Sequence, residues 1–304
     1  MPDKIRYVVI SPAKDEAQRI EKTIQSMLRQ TIRPARWVIV DDGSVDQTAP
    51  IIESYQHTVD WISVIRVKRD AARKLGSAEI RAFEVGLNAV HDEVFDFVVK
   101  LDCDLEFGPD YFEQLISRFS SDPDLGIASG VYLEKSGNNW SEVIMPPYHA
   151  SGASKMVRAK CFSDIGGFPL FPGWDTADEV KAQVRGWRTC HFSDIKFFHL
   201  RPEGSATGGM STGILHGRVY YATGGGLFFF IFKFFHRLIV GKPAILSALA
   251  MLWGYLKSWA TRTERLVTKS EARFFQQQLN RRLLEGIRKR FRLGGVAREK
   301  RGLN

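Results

Sequence analysis

The sequence predicts an α/β fold on a Rossmann-like mixed sheet, mostly parallel, followed by a helical, basic extension. Short apolar, β-branched runs alternate with stretches whose apolar residues recur at helical spacing, the pattern of β-α-β units. Several of those runs stop at an acidic turn. The charge is also divided along the chain. The 304 residues carry a formal +9, yet Lys257 to Asn304 hold 14 basic and 4 acidic residues, so everything before them is close to neutral. At 44% hydrophobic and 25% charged residues the composition excludes disordered, collagen-like and disulfide-scaffold chains.

Taken in order, Tyr7 to Ile10 reads as a buried strand stopped by Ser11-Pro12. Ile20, Ile24, Met27 and Leu28 then share a helix face. Trp37 to Val40 is a second buried strand, ended by Asp41-Asp42-Gly43-Ser44. Ile51, Ile52 and Tyr55 mark a helix before the strand Ile62 to Val67. A helix from Gly76 to Val90 precedes the strand Phe95 to Leu101, and Tyr111, Phe112, Leu115 and Phe119 give a helix before the strand Leu125 to Leu133. A later strand-like run ends at Phe197-Phe198-His199. Cys103, Cys161 and Cys190 are too scattered to form a metal or redox pair and fit a reducing compartment. Asp3, Lys4 and Arg6 lead directly into the first strand, so no secretory leader is expected.

In sheets of this kind ligands bind beyond the carboxyl ends of the strands. Those positions are acidic here: Asp15 and Glu16 after the first strand, Asp41 and Asp42 after the second, Asp102 and Asp104 after the fourth. One such pair reads equally well as a helix cap or a solvated turn. Three on one rim point to a divalent metal and to hydrogen-bond acceptors for a polar ligand.

Over roughly residues 5–200 these features resemble family 2 glycosyltransferases of the GT-A nucleotide-diphospho-sugar transferase fold. The run Val8 to Glu16, with Pro12, Ala13, Asp15 and Glu16, is similar to the family's first strand and Pro-x-x-Asn-Glu turn, with Asp15 at the usual Asn. Val38 to Thr48 resembles its nucleotide-binding turn, and Asp102-Cys103-Asp104 its Asp-x-Asp motif. The resemblance implies that Asp42 accepts from the base of a uridine-type nucleotide with Glu16 nearby. It further implies that Asp104 ligates a divalent metal, Mg²⁺ or Mn²⁺, and that Asp102 contacts ribose or the metal shell. His199 is placed as a third metal ligand, the alternative being a packed residue, and Arg201 as a partner of the diphosphate. Glu84 departs from the family's usual Asn in the preceding helix, and Lys74 and Arg81 read as phosphate-side cations or as a solvated helix face.

An inverting transfer also needs a base to remove the acceptor hydroxyl proton. The candidates are Asp175 and Asp178 in Gly173-Trp174-Asp175-Thr176-Ala177-Asp178-Glu179, with Glu179 behind them. In processive relatives such as cellulose synthases, eleven residues separate the base from a Gly-Trp pair. Asp175 stands at that spacing from Gly186-Trp187, which ranks it first; the alternative is that it only caps a helix. Ser151-Gly152-Ala153-Ser154 resembles the acceptor-side loop, where Gly152 permits close approach to a sugar. Trp174 and Trp187 read as sugar-stacking platforms or as core.

The expected organisation is a glycosyltransferase domain over residues 1–215 and a helical, membrane-associating region over 216–304. The apolar runs Gly226 to Phe232 and Ala244 to Leu256 are too short to span a bilayer. Beside the basic cluster Arg288-Lys289-Arg290-Phe291-Arg292 they fit a peripheral or monotopic anchor on an anionic leaflet, and nucleic acid is not an expected partner. The closest likeness within the family is to bacterial exopolysaccharide enzymes. It implies a nucleotide-diphosphate sugar donor, a UDP-sugar first, and a lipid-linked glycan acceptor at the cytoplasmic face of the inner membrane. A nucleotidyltransferase and a non-catalytic nucleotide-sugar-binding protein are the alternatives.

Overall fold

The computed structural model describes residues 5–67, 78–137, 139–201, 209–240 and 244–299. Lys74 and the side chains of Lys289, Arg290, Phe291 and Arg292 lie outside them. Strands β1 (Tyr7–Ala13), β2 (Arg36–Asp41), β3 (Ile62–Arg66) and β4 (Phe97–Leu101) pair in parallel in the order β3-β2-β1-β4. They are linked by helices α1 (Ile20–Leu28), α2 (Thr48–Gln56) and α3 (Ala78–Asn88). Beyond β4 the sheet becomes mixed. β8 (Ser154–Arg158) runs antiparallel to β4 and to β6 (Leu125–Ser136), and β9 (Arg188–His199) is parallel to β6. β5 (Leu105–Phe107) pairs antiparallel with β9, and β7 (Asn139–Glu142) with β6. Helices α4 (Tyr111–Ser121), α5 (Ala159–Ile165) and α6 (Trp174–Val184) complete this part.

Side-chain alternation along the strands produces two apolar layers. Tyr7, Val9, Trp37 and Ile39 face one side and pack with Ile20, Ile24, Phe112 and Leu115. Val8, Ile10, Val38 and Val40 face the other and pack with Ile80, Phe83 and Trp174. Gly86 of α3 permits that second layer to close, because a Cβ there would lie 2.5 Å from Ile10 Cγ2. The expected strands at Tyr7, Trp37, Ile62, Phe95 and Leu125 are all present. β8 was not expected, because Lys155 interrupts its apolar run.

The chain divides into two compact units, Met1–Ser205 and Ala206–Asn304. Position 215 therefore falls inside α7 (Gly209–Ala222) of the second unit, which also holds α8 (Leu227–Val240), α9 (Ala244–Ala260) and α10 (Lys269–Glu299). α10 starts at a reciprocal cap: the Glu271 carboxylate accepts from the Thr268 N–H at 2.7 Å, and the Glu271 N–H donates to Thr268 Oγ1 at 3.3 Å. α7 and α9 pack backbone to backbone. A Cβ on Gly217 would sit 2.0 Å from Met251 O, and one on Gly254 2.1 Å from Ile214 O. No described helix is long and apolar enough to cross a membrane.

Candidate active site

The acidic turns stand where the parallel strands end. Ala13 is paired with Asp41 in the β1–β2 ladder, and its carbonyl accepts from the Asp42 N–H at 2.9 Å, so the first two turns meet at the tips of their strands. They are also stitched together by side chains. Asp15 adopts φ 54°, and its carboxylate accepts from the Val45 N–H at 2.9 Å. Its own N–H donates to Ser44 Oγ at 2.9 Å, while the Glu16 N–H donates to Thr48 Oγ1 at 2.7 Å. Asp15 is thus spent on shaping the turn. Ala13 points into the first apolar layer, Pro12 is half-buried beside it, and Asp42 is buried at the rim.

Asp102 and Asp104 follow β4, and β9 brings His199 to them. Leu105 pairs with His199 across the β5–β9 ladder, and the Leu200 N–H donates to Asp104 O at 2.8 Å. One ligand atom each from Asp102, Asp104 and His199 lies within 4.8 Å of the others. His199 Nε2 is 3.4 Å from Asp104 Oδ1, and Nδ1 is 3.4 Å from Glu134 Oε1. Arg201 bridges Glu16 Oε1 at 2.5 Å and Asp104 Oδ2 at 3.1 Å. Glu16 Oε2, Asp104 Oδ2 and His199 Nδ1 are buried and make no well-formed hydrogen bond, Asp104 Oδ2 and His199 Nδ1 having only the ion pairs just given. Two carboxylates and an imidazole on one rim fit a divalent cation.

The electrostatics follow from burial and charge. Burial and the Asp104 carboxylate push Glu16 up to about 7 against the opposing pull of Arg201. Burial also acts on Asp104, but His199 and Arg201 outweigh it and hold this carboxyl below its ordinary value.

The ends of β4 and α6 are joined by two lysines that the sequence reading did not single out. Lys100 and Lys155 are register partners across the β4–β8 ladder and are both buried. Their ammonium groups lie 5.4 and 5.2 Å from the Trp174 ring centroid. Lys100 donates to Asp102 Oδ1 at 2.6 Å, and Glu79 Oε2 is 3.5 Å away. Lys155 donates to the Asp175 carbonyl at 2.8 Å, to Asp178 at 3.0 Å and to Glu179 Oε1 at 3.2 Å. Burial alone would lower both lysines, but these carboxylates raise both. A lysine in the centre of the apolar run Phe97–Leu101 was the available signal, since a buried lysine has to be paired.

This arrangement corrects the expectation for Asp178 and decides between the two readings of Trp174. Asp178 has no exposed surface and is sealed into an ion pair with Lys155, so it cannot reach an acceptor proton. Trp174 is only 3% exposed and donates its indole N–H to Glu79 Oε1 at 2.8 Å, so it is core rather than a sugar platform. Trp187 donates to Asp164 Oδ2 at 3.0 Å. Asp175, in the first turn of α6, is half-buried and lies beside Gly152, where a Cβ would sit 3.3 Å from Trp174 Cζ2 and 3.5 Å from the Asp175 Cβ. Glu179 is buried, accepting from the Ala150 N–H at 2.7 Å with His149 Nδ1 at 3.0 Å.

The family model of Glycosyl transferase family 2 matches residues 8–171. A glucosyl-dolichyl phosphate glucuronosyltransferase of Haloferax volcanii is 24% identical over 130 residues, 43% of this chain and 38% of that one. A poly-beta-1,6-N-acetyl-D-glucosamine synthase of Staphylococcus aureus is 29% identical over 116 residues, 38% of this chain and 26% of that one. The chain thus covers well under half the length of these relatives. Among solved structures, S. aureus TarS 1-349 in complex with UDP-GlcNAc superposes at TM-score 0.57 and 17% identity, covering 94% of this chain and 92% of that one. The Pyrobaculum calidifontis mannosyltransferase PcManGT in complex with GDP-Man and Mn²⁺ gives TM-score 0.55 and 17% identity, covering 95% of this chain and 84% of that one. At these identities the structural likeness shows the fold.

Proposed function

The chain belongs to glycosyl transferase family 2, and from that premise we propose that it transfers a sugar, with inversion, from a nucleotide-diphosphate donor to a hydroxyl of a lipid-linked glycan in cell-envelope polysaccharide synthesis. The observation that carries the reading is the rim itself. Three acidic turns converge at the strand ends, with buried acceptor atoms of Glu16 and Asp104 that make no well-formed hydrogen bond. We take the donor to be a UDP-sugar, with Asp42 and Glu16 on the nucleoside.

Asp102, Asp104 and His199 would hold a divalent cation, which supplies charge neutralisation for the departing diphosphate. Arg201, already at Asp104, adds a second positive charge there. On the opposite side the acceptor oxygen attacks the anomeric carbon, the bond to the diphosphate breaks with its electron pair, and Asp175 takes the hydroxyl proton. Gly152 leaves the backbone open beside that carboxylate. Lys155 positions Asp175 by holding its carbonyl. The +10 segment from Lys257 onwards would rest on the anionic cytoplasmic face of the inner membrane, where a lipid-linked acceptor is found.

The test is Asp175→Asn in the full chain. Turnover should fall by roughly 10² to 10⁴, while calorimetric binding of UDP with Mn²⁺ stays within about twofold of the parent, a difference within the scatter of such comparisons. Asp104→Ala should instead remove the metal dependence of UDP binding. Unchanged turnover in Asp175→Asn would eliminate this residue as the base.

A further inference from the structure

We propose that the second unit is a monotopic membrane module, with α8 and α9 held in the hydrocarbon of one leaflet by an outward apolar face. This extends the leaflet association proposed above and gives it a different driving force: apolar insertion rather than the charge of the tail.

Helices α7, α8 and α9 bury Tyr220, Phe230, Met251 and Tyr255 between them, and α8 and α9 are apolar on the outward side as well. On α8, Phe228, Ile231, Phe232, Phe235 and Ile239 recur at helical spacing and are 41–83% exposed. On α9, Ile245, Leu249, Trp253 and Leu256 repeat the pattern at 44–65%. Of the 21 large hydrophobic residues exposed among the described residues, 14 fall between Met210 and Trp259.

The cations of α8 lie away from its exposed apolar face and are half-buried. Lys233 lies 5.1 Å from the Tyr220 ring centroid. Arg237 donates to His216 Nδ1 at 2.7 Å and to Ser247 Oγ at 3.4 Å. Ser247 and Ser258 are buried. His236 is the ionisable side chain of α8 left exposed. The contact between α7 and α9 is made by Gly213, Gly217, Ala250 and Gly254, the small residues that bring helices close where no hydrophobic force drives them together. In water the Leu, Phe and Trp side chains would be the ones buried; in lipid the observed arrangement is the stable one.

Geometry and charge choose the mode of insertion and the occupant of the face. α8 has 14 residues and α9 has 17. At 1.5 Å per residue these are roughly 21 and 26 Å long, short of the approximately 30 Å hydrocarbon core, so the helices stay within one leaflet. At the C-terminal end of α9 exposed Trp253 and Trp259 stand beside Lys257 and Arg262. An apolar surface ending in tryptophan and basic residues matches the boundary between acyl chains and anionic headgroups. A second copy of the chain would have no use for that gradient.

The full chain is floated with vesicles of phosphatidylcholine alone and of phosphatidylcholine with phosphatidylglycerol, in low salt and in about 1 M NaCl, where charge attraction is screened within a few ångströms. Binding to the neutral vesicles that survives high salt is expected, with tryptophan emission quenched by lipids brominated on their acyl chains. The quench should fall by at least half in Trp253→Phe/Trp259→Phe. Leu249→Glu with Phe232→Glu should reduce flotation at least tenfold with helical content in detergent retained. Binding restricted to anionic vesicles and released by salt would overturn the proposal, as would absence of acyl-chain quenching. A vesicle-free dimer covering this face would overturn it too. Metal-dependent UDP binding is measured on the same samples: its loss with flotation intact counts against the transferase reading alone, and the reverse result against the module alone.

Discussion

The two units of this chain differ in what they leave exposed. In the first, Trp37, Phe83, Phe112 and Phe197 are inside, and charge enters the interior only where a partner meets it, as at Lys100 and Lys155. In the second, glycine, alanine and serine hold α7 against α9, and Phe235, Leu249 and Trp253 face outward. Both units bury aromatic side chains, Tyr220, Phe230 and Tyr255 in the second, but the second exposes a row of apolar ones as well. The difference teaches that an apolar face left open on helices, unlike the sealed layers of a sheet, calls for a partner outside the fold, and the membrane proposed above supplies one.

The comparison breaks most sharply at Lys155. Lys155→Met leaves Asp178 and Glu179 buried without their cation, and uncompensated buried charge of this kind costs about 3 to 5 kcal/mol. Urea unfolding followed by tryptophan fluorescence should register that loss; an unchanged midpoint would mean that the cluster is wet. The next effect is in the second unit. A methyl on Gly217 meets the Met251 carbonyl, so Gly217→Ala should destabilise the helical unit in detergent by about 1 to 3 kcal/mol. Binding of UDP with Mn²⁺ should be unaffected, and a drop in it would show that the two units are less independent than their cores imply.

The smallest effect is a pH dependence in the first unit. Burial would lower His149, but the Glu179 carboxylate outweighs it and raises the imidazole above 6.5. The protonated form is therefore favoured on folding. Its stabilisation is full below the ordinary histidine value and fades as pH rises through the raised one. His149→Gln should cost about 1 kcal/mol in acidic buffer, and thermal melts of variant and parent should converge as the buffer becomes alkaline. A gap that stays constant with pH would assign the effect to shape instead of charge.

Much of the first unit was legible because its signals are local. Tyr7 to Ile10 and Trp37 to Val40 are continuous apolar runs ended by turn residues, and Asp102 and Asp104 follow directly on a strand. His199 was readable as a ligand candidate only through its place in the chain; its approach to Asp104 depends on the β5–β9 pairing, which no local pattern encodes. β8 escaped notice because Lys155 makes its run look amphipathic, and its burial follows from partners about 20 residues away in α6. The same long-range pairing separates Asp175 from Asp178, two carboxylates that local sequence treats as near equals. In the second unit the shortness of the apolar runs was visible. Which face each helix turns outward is a property of packing, and only the assembled helices reveal it.

Lys100 and Lys155 occupy one rung of an antiparallel ladder. The span between Asp102, held by Lys100, and the start of α6, held by Lys155, is therefore set by strand spacing, roughly 5 Å between facing residues, and not by a loop that drift or selection can lengthen. Such a rung is a ruler. The loops around it can be rewritten while the distance from Asp102 to the start of α6 stays constant.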